Sequence, residues 1–305
     1  MSPVDMTEPD PSVIGNIPIP PFAKLPNPAR LFAIRAARFR ALAEGHQLEP
    51  YLRLLADLSD AQAAIQEDLP DPEPIDPQQI ARAKEHKMPP LDRGGFVPDA
   101  AFKETLKRLL EAAGRMNMPP QAQVALARVA AADEAGRAVM LQNVLADAIP
   151  VEALAEHVYI AAALQVHFAR LAARLDAAAL EDVGDGVCPS CGGPPTSSVL
   201  VNWPGIQGAR YCSCSLCNTW WNYVRSKCCI CGSTRQILFQ EVAEGDGSIK
   251  AETCDDCHGY TKVFNQQKNR ALDPVADDVA SLGLDLLVRE LEFRRGGVNP
   301  FLIGY

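Results

Sequence analysis

Four Cys-x-x-Cys pairs occur within 70 residues of this 305-residue chain, and their spacing repeats. They are Cys188/Cys191, Cys214/Cys217, Cys228/Cys231 and Cys254/Cys257. In each half of this region 22 residues separate one pair from the next, and every cysteine of the second half lies 40 residues after its counterpart in the first. A constant offset of this kind indicates an internal duplication.

The spacing of the cysteines is typical of tetrahedral metal sites. Two thiolates three positions apart can hold one ion from a tight turn, and a second turn brought back by a β-hairpin supplies the other two ligands. Gly192 and Gly232 each follow such a pair, where the turn needs a positive φ. We therefore predict metal site 1 and metal site 2, made respectively by Cys188, Cys191, Cys214, Cys217 and by Cys228, Cys231, Cys254, Cys257.

The grouping of the pairs and the choice of metal need separate arguments. A cross-brace would join Cys188/Cys191 with Cys228/Cys231, but a duplicated unit should carry a complete site, which favours closure of each quartet on itself. Four soft thiolates suit zinc or iron. Structural zinc is common with this spacing, whereas a single iron held by four thiolates would be redox-active.

Two further cysteines, Cys212 and Cys229, have no counterpart in the repeat. They are either small residues near the metal sites or alternative ligands and redox-labile thiols. The 40-residue offset selects Cys228 rather than Cys229 as a ligand. The run from Cys254 to His258 matches the haem-attachment motif C-x-x-C-H, but the repeat assigns its cysteines to a metal quartet, so we place His258 in a turn.

The remaining sequence predicts helices and a cytosolic location. Residues 21–185 are rich in Ala, Leu and Arg at helical spacing, and residues 1–20 are rich in Pro and Asp, which indicates a flexible tail. The stretch Met1–Asp10 has no basic residue or apolar core, so we expect no signal peptide. The most apolar stretch, 158–180, contains several charged residues, which argues against a membrane span. The formal net charge of −9 disfavours nucleic acid and anionic membranes as partners.

Several segments together resemble the formate dehydrogenase accessory proteins of the FdhE family. They are CPSCGGPPTSSVL (188–200), QGARYCSCSLCNTWW (207–221), KCCICG (227–232), IKAETCDDCHGY (249–260), DPVADDVASLGLDLL (273–287), NPFL (299–302), PPLD (89–92) and the LFAIRAARFRALAE helix. The resemblance implies a cytoplasmic, non-catalytic maturation factor that acts on the catalytic subunit of a formate dehydrogenase. It also implies tandem rubredoxin-like modules associated with iron, and the eight quartet cysteines match the family's metal ligands.

We accordingly expect an α+β multidomain protein. It would comprise a flexible tail (1–20), a helical domain (21–185), rubredoxin-like modules 1 (186–226) and 2 (227–271), and a C-terminal helix and tail (272–305). No catalytic motif is evident. The alternatives to a maturation factor are a rubredoxin-like electron carrier and a nucleic-acid-binding zinc ribbon, the latter weakly supported by the slight positive charge of the cysteine-rich region.

Three other groups of residues allow two interpretations each. Trp203, Trp220 and Trp221 could pack over the metal turns or form a partner surface. Asp277 and Asp278 could favour a helix dipole or recognise a basic segment of a client. The arginines of the first helix point around its whole circumference, which is typical of a solvated or salt-bridged helix; they are Arg30, Arg35, Arg38 and Arg40.

Overall fold

The computed structural model describes residues 19–242 and 245–302 of the chain. Within these ranges the first half is helical and the second half is built on a β-sheet. The helices are α1 (Pro28–Ala43), α2 (Glu49–Ala64), α3 (Pro77–Glu85), α4 (Ala100–Ala113), α5 (Pro120–Ala131), α6 (Glu134–Leu145), α7 (Leu154–Ala172), α8 (Ala276–Ala280) and α9 (Leu282–Glu290). Short 3₁₀ turns span Ile65–Glu67 and Val151–Ala153. The predicted tail lies outside the described residues except for positions 19 and 20.

Aspartates fix the starts of three helices in the helical half. The side chains of Asp76, Asp99 and Asp133 each accept a hydrogen bond from a backbone N–H in the first turn of α3, α4 and α6. Such N-caps satisfy donors that have no partner within the helix. Helix α7 is the centre of this half, because every residue from 156 to 169 is buried and α2, α4, α5 and α6 all pack against it.

The eight strands form one continuous sheet. They are β1 (Ala23–Lys24), β2 (Ser197–Trp203), β3 (Ile206–Ser213), β4 (Trp220–Asn222), β5 (Ile237–Gln240), β6 (Ile249–Cys254), β7 (Gly259–Asn265) and β8 (Arg294–Arg295). Their order is β1-β4-β3-β2-β7-β6-β5, with β8 beside β7. Each module contributes an antiparallel three-stranded unit, and a parallel pairing of β2 with β7 joins the two units, with Val199 opposite Phe264.

The C-terminal segment forms two short helices and not the single helix expected within residues 272–305. Helices α8 and α9 are separated at Ser281, where the buried ammonium of Lys262 donates hydrogen bonds to the backbone oxygens of Asp278 (2.8 Å) and Ser281 (3.0 Å). The carboxylates of Asp278 and Asp285 lie between Lys262 and Arg295 and pair with both. Since these carboxylates, the Lys262 ammonium and the side chain of Arg295 are buried, mutual pairing offsets their desolvation.

Two arginines of α1 connect the helical half to this segment. Arg35 is buried and pairs with Asp273 (3.2 Å), and Arg38 donates two hydrogen bonds to the buried carboxylate of Asp277. Both arginines are therefore salt-bridged, which is one of the two arrangements expected for this helix, and Arg35 is in addition fully buried. Asp277 is occupied inside the chain, like Asp278, so neither carboxylate is exposed for recognition of a client.

The observed architecture is the predicted α+β class. A helical domain precedes a sheet-rich region with two four-cysteine clusters, and helices follow it. The boundaries at residues 21, 186, 227 and 272 stay a prediction. None of the described helices is both long and apolar enough to cross a membrane.

Candidate metal centres

The first quartet forms a compact, fully buried cluster, which we call cluster 1. The Sγ atoms of Cys188, Cys191, Cys214 and Cys217 all lie within 4.8 Å of one another. Sγ of Cys188 is 3.6 Å from that of Cys217, and Sγ of Cys191 is 3.5 Å from that of Cys214. Four sulfur atoms this close together can act as the four ligands of one tetrahedral zinc or iron ion.

The second quartet, cluster 2, repeats this arrangement nearer the surface. Sγ of Cys228 is 4.0 Å from that of Cys257, and Sγ of Cys231 is 3.8 Å from that of Cys254, the same pairs as in cluster 1. Cys231 is exposed and Cys257 half-buried. Each quartet thus closes on itself in the described chain, and the cross-braced alternative does not occur.

The backbone of the two cysteine turns repeats as closely as the cysteines do. The N–H of Cys188 donates to the carbonyl of Gly193 (2.8 Å), and the N–H of Cys228 donates to that of Ser233 (2.7 Å). The glycines after the second cysteines, Gly192 and Gly232, have φ of 81° and 76°. A side chain disfavours this left-handed conformation, which explains glycine at both positions.

The helical half covers cluster 1 directly. The backbone N–H of Leu91 donates to the carbonyl of Ser190 (2.9 Å), and that of Arg93 to the carbonyl of Cys191 (3.3 Å). The Arg93 guanidinium is buried beside the cluster, where its ion pair with Asp147 (2.7 Å) holds it. The PPLD segment (89–92) therefore supports the first cysteine turn, a role that spacing could not reveal.

The thiols of cluster 1 shift one another's pKa in opposite directions. Burial raises the pKa of the Cys188 thiol well above its usual range. Hydrogen bonds from the neighbouring thiols hold the pKa of Cys214 well below its usual range. In the bare cluster some thiols thus stay protonated, and a divalent ion would displace their protons and bind four thiolates. The four-cysteine donor set of each cluster fits such an ion, either zinc or iron.

Cys212 and Cys229 lie together between the two modules and outside both clusters. Both are buried, Cys212 on β3 and Cys229 beside the ligand position of Cys228. A hydrogen bond from Cys212, together with the charge of Arg210, lowers the pKa of Cys229 to about 7. The Arg210 guanidinium also pairs with buried Glu252 at 2.8 Å.

The tryptophans and the histidine discussed in the sequence analysis lie outside both cysteine clusters. Trp221 is buried in the core around cluster 1, whereas Trp203 and Trp220 pack against a separate small core that includes Tyr211. His258 lies in a turn with φ of 51°, its ring 6.2 Å from that of Phe293, and takes no part in cluster 2.

Comparisons with known proteins agree along the whole chain. The family models described as "FdhE, N-terminal", "FdhE, central domain" and "FdhE, C-terminal domain" match residues 20–185, 187–225 and 226–302. A "Protein FdhE homolog" from Rhizobium meliloti (strain 1021) is 49% identical over 304 residues, 99% of each chain. The homolog from Edwardsiella ictaluri is 36% identical, over 93% of this chain and 92% of its own.

A solved structure shows the same fold. It is the crystal structure of the FdhE protein from Pseudomonas aeruginosa, which has a TM-score of 0.83 and 33% identity and covers 93% of this chain and 99% of its own. Both sequence and structure therefore show that this chain belongs to the FdhE family.

Proposed function

We propose that this protein is a cytoplasmic maturation factor that binds the catalytic subunit of a formate dehydrogenase and is needed for its assembly into active enzyme. The observation that carries the proposal is membership of the FdhE family over nearly the entire chain, with both four-cysteine clusters complete.

We propose further that each cluster holds one metal ion, iron in the cell, with zinc as a substitute in isolated protein. The ligands would be the eight quartet cysteines, and the ion would cross-link two turns that the small sheet modules could not otherwise fix. We also propose the domain boundaries expected from the sequence: a helical domain (21–185), two modules (186–226 and 227–271) and a C-terminal segment (272–305).

The test is complementation of a strain from which the gene has been deleted. We expect the deletion to abolish formate dehydrogenase activity, while immunoblotting shows that the catalytic subunit is still made. The intact protein should restore activity, and Cys188→Ser or Cys228→Ser should not. Val139→Ser is the control, since Val139 is exposed on α6 in the helical half. Normal activity in the deletion strain would contradict the proposal.

A rubredoxin-like electron carrier is the second candidate, favoured by one observation. Cys231 is exposed, so an iron ion in cluster 2 would be accessible to a redox partner. Protein loaded with zinc alone separates the candidates, because zinc has no redox chemistry. If zinc-loaded protein still supports maturation in a reconstituted assay, electron transfer is not its function.

A further inference from the structure

The three strands of module 1 have equivalents in module 2 at the same 40-residue offset as the cysteines. Strand β2 begins at Ser197 and β5 at Ile237, and β3 and β6 follow as the second strands of the two hairpins. The third strands, β4 and β7, each pair with the second strand of their own hairpin, on the side away from β2 and β5 respectively. An edge that is paired in one module can therefore be compared with the same edge in the other.

The outer edge of β2 is paired, but the equivalent edge of β5 is not. In module 1 this edge takes β7 as a parallel neighbour, and Val199 opposite Phe264 is fully buried. The position equivalent to Val199 is Phe239, whose side chain is 52% exposed, as is that of Leu238. Within the described ranges β5 ends the sheet and pairs only with β6.

From this comparison we infer that the free edge of β5 binds an extended apolar segment of the client protein as an additional parallel strand. The inference rests on the proposed function, which makes the client the catalytic subunit of a formate dehydrogenase. An open strand edge presents backbone N–H and C=O groups that an extended chain can satisfy, which is the general basis of recognition by β-augmentation.

The chemistry of the segment follows from the internal template. Consecutive residues of a strand point to opposite faces of the sheet, so Leu238 and Phe239 offer apolar surface on both faces. In module 1 the matching neighbour presents Val263 and Phe264 at the equivalent register. The bound segment therefore carries at least two consecutive apolar residues, with no proline among the residues that pair.

Within the described residues, a second copy of this chain does not offer the parallel neighbour of the template, because two β5 edges related by a two-fold axis would pair antiparallel. The edge that pairs with β2 in the template belongs to a third strand, β7, and that edge is already used. The equivalent edge of β4 is covered by β1, with Ala23 opposite Trp221 and Lys24 opposite Trp220. A head-to-tail contact between copies would also fail to close into a symmetric dimer. These observations favour a different protein as the occupant.

The free edge lies next to the more accessible cluster. Ile237 at the start of β5 is opposite Cys254 of cluster 2, and exposed Cys231 belongs to the same cluster. A segment paired with β5 would lie one strand away from Cys254. The same short strand, β5, would therefore contact both the bound client segment and the strand that carries Cys254 of cluster 2.

The test uses the full-length, metal-loaded protein and the purified, unassembled catalytic subunit. One preparation has Phe239 replaced by photoreactive p-benzoylphenylalanine, and a matched preparation has the same replacement at exposed Val139. We expect a cross-link from position 239 to an apolar segment of the catalytic subunit and none from position 139. Phe239→Glu should weaken binding by about tenfold or more, whereas Val139→Glu should not change it. Metal content of Phe239→Glu should stay at the intact level, which separates loss of the edge from loss of the module.

Three results would overturn the inference. The catalytic subunit could bind equally well to Phe239→Glu and give no cross-link at position 239. This result would show that the β5 edge is not the binding site, and it would leave the proposed function unchanged. A cross-link from position 239 to a second copy, or to residues 1–18 of the same chain, would show a different occupant. No binding of the catalytic subunit by the intact protein would contradict the proposed function itself, and this inference with it.

Discussion

Asn218 and His258 occupy the same position in the second cysteine turn of the two modules, and both have left-handed backbone, with φ of 58° and 51°. Asparagine and histidine are among the few residues besides glycine that adopt this region readily. Their shared conformation shows that the duplication extends from cysteine spacing to individual backbone angles. It also gives a conformational reason for a histidine directly after Cys257.

We therefore expect His258→Asn to leave both metal sites intact and to change the free energy of unfolding by less than about 1 kcal/mol. His258→Val should destabilise module 2 by about 1–3 kcal/mol, because a β-branched residue is strained at positive φ. Guanidinium unfolding of both metal-loaded variants measures this difference. Loss of metal from His258→Asn would show that the imidazole is a ligand.

Adjacent cysteines give a sharp test of ligand assignment in cluster 2. Since Cys228 and not Cys229 lies within the cluster, Cys228→Ser should lower the metal content from two ions per chain to one, and Cys229→Ser should retain two. Elemental analysis of anaerobically purified protein provides the measurement. The reverse result would mean that the register of the repeat does not select the ligand.

The unequal burial of the clusters predicts unequal release of their metal ions. Cys231 is exposed, whereas all four cysteines of cluster 1 are buried beneath the helical half, so a chelator reaches cluster 2 first. In zinc-loaded protein we expect two phases of release to a chromogenic chelator. Cys231→Ser should remove the fast phase, and Cys191→Ser the slow one. A single phase from the intact protein would contradict unequal access.

His167 predicts a pH dependence of stability in the helical half. The ring lies between Phe96 and Phe102, and burial lowers its pKa from 6.5 to about 4, with nearby Asp99 opposing the shift. Between these values the unfolded chain binds the proton more readily, so stability is complete above pH 6.5 and is lost as the pH falls towards 4. Over this whole interval the loss in the free energy of unfolding is about 3 kcal/mol. Urea unfolding at pH 4.5 and 7.5 should show a smaller difference for His167→Leu than for the intact protein; an equal difference would assign the pH dependence to other groups.

The local parts of this architecture follow from sequence because their determinants are close together. A Cys-x-x-Cys turn followed by glycine is specified within five residues, and the offset of 40 residues reveals that there are two such units. The aspartate caps and prolines likewise mark where helices begin.

The long-range relationships were not predictable in this way. The parallel pairing of β2 with β7 unites the modules in one sheet, and nothing in either strand alone specifies its neighbour. Arg35 lies in a helix whose sequence allows either solvated or salt-bridged arginines, and its partner Asp273 is 238 residues away. The break at Ser281 depends on an ammonium from β7, Lys262. Ion pairs between residues far apart in sequence cannot be predicted from the spacing of residues along the chain.

The most direct test of the whole account is anaerobic affinity purification of the tagged protein from its own host, with the bound proteins identified by mass spectrometry. We expect enrichment of a formate dehydrogenase catalytic subunit over a matched tagged control, and loss of that enrichment with Phe239→Glu. Recovery of ribosomal or DNA-bound proteins, or of a redox partner without that subunit, would contradict the assignment as a formate dehydrogenase maturation factor.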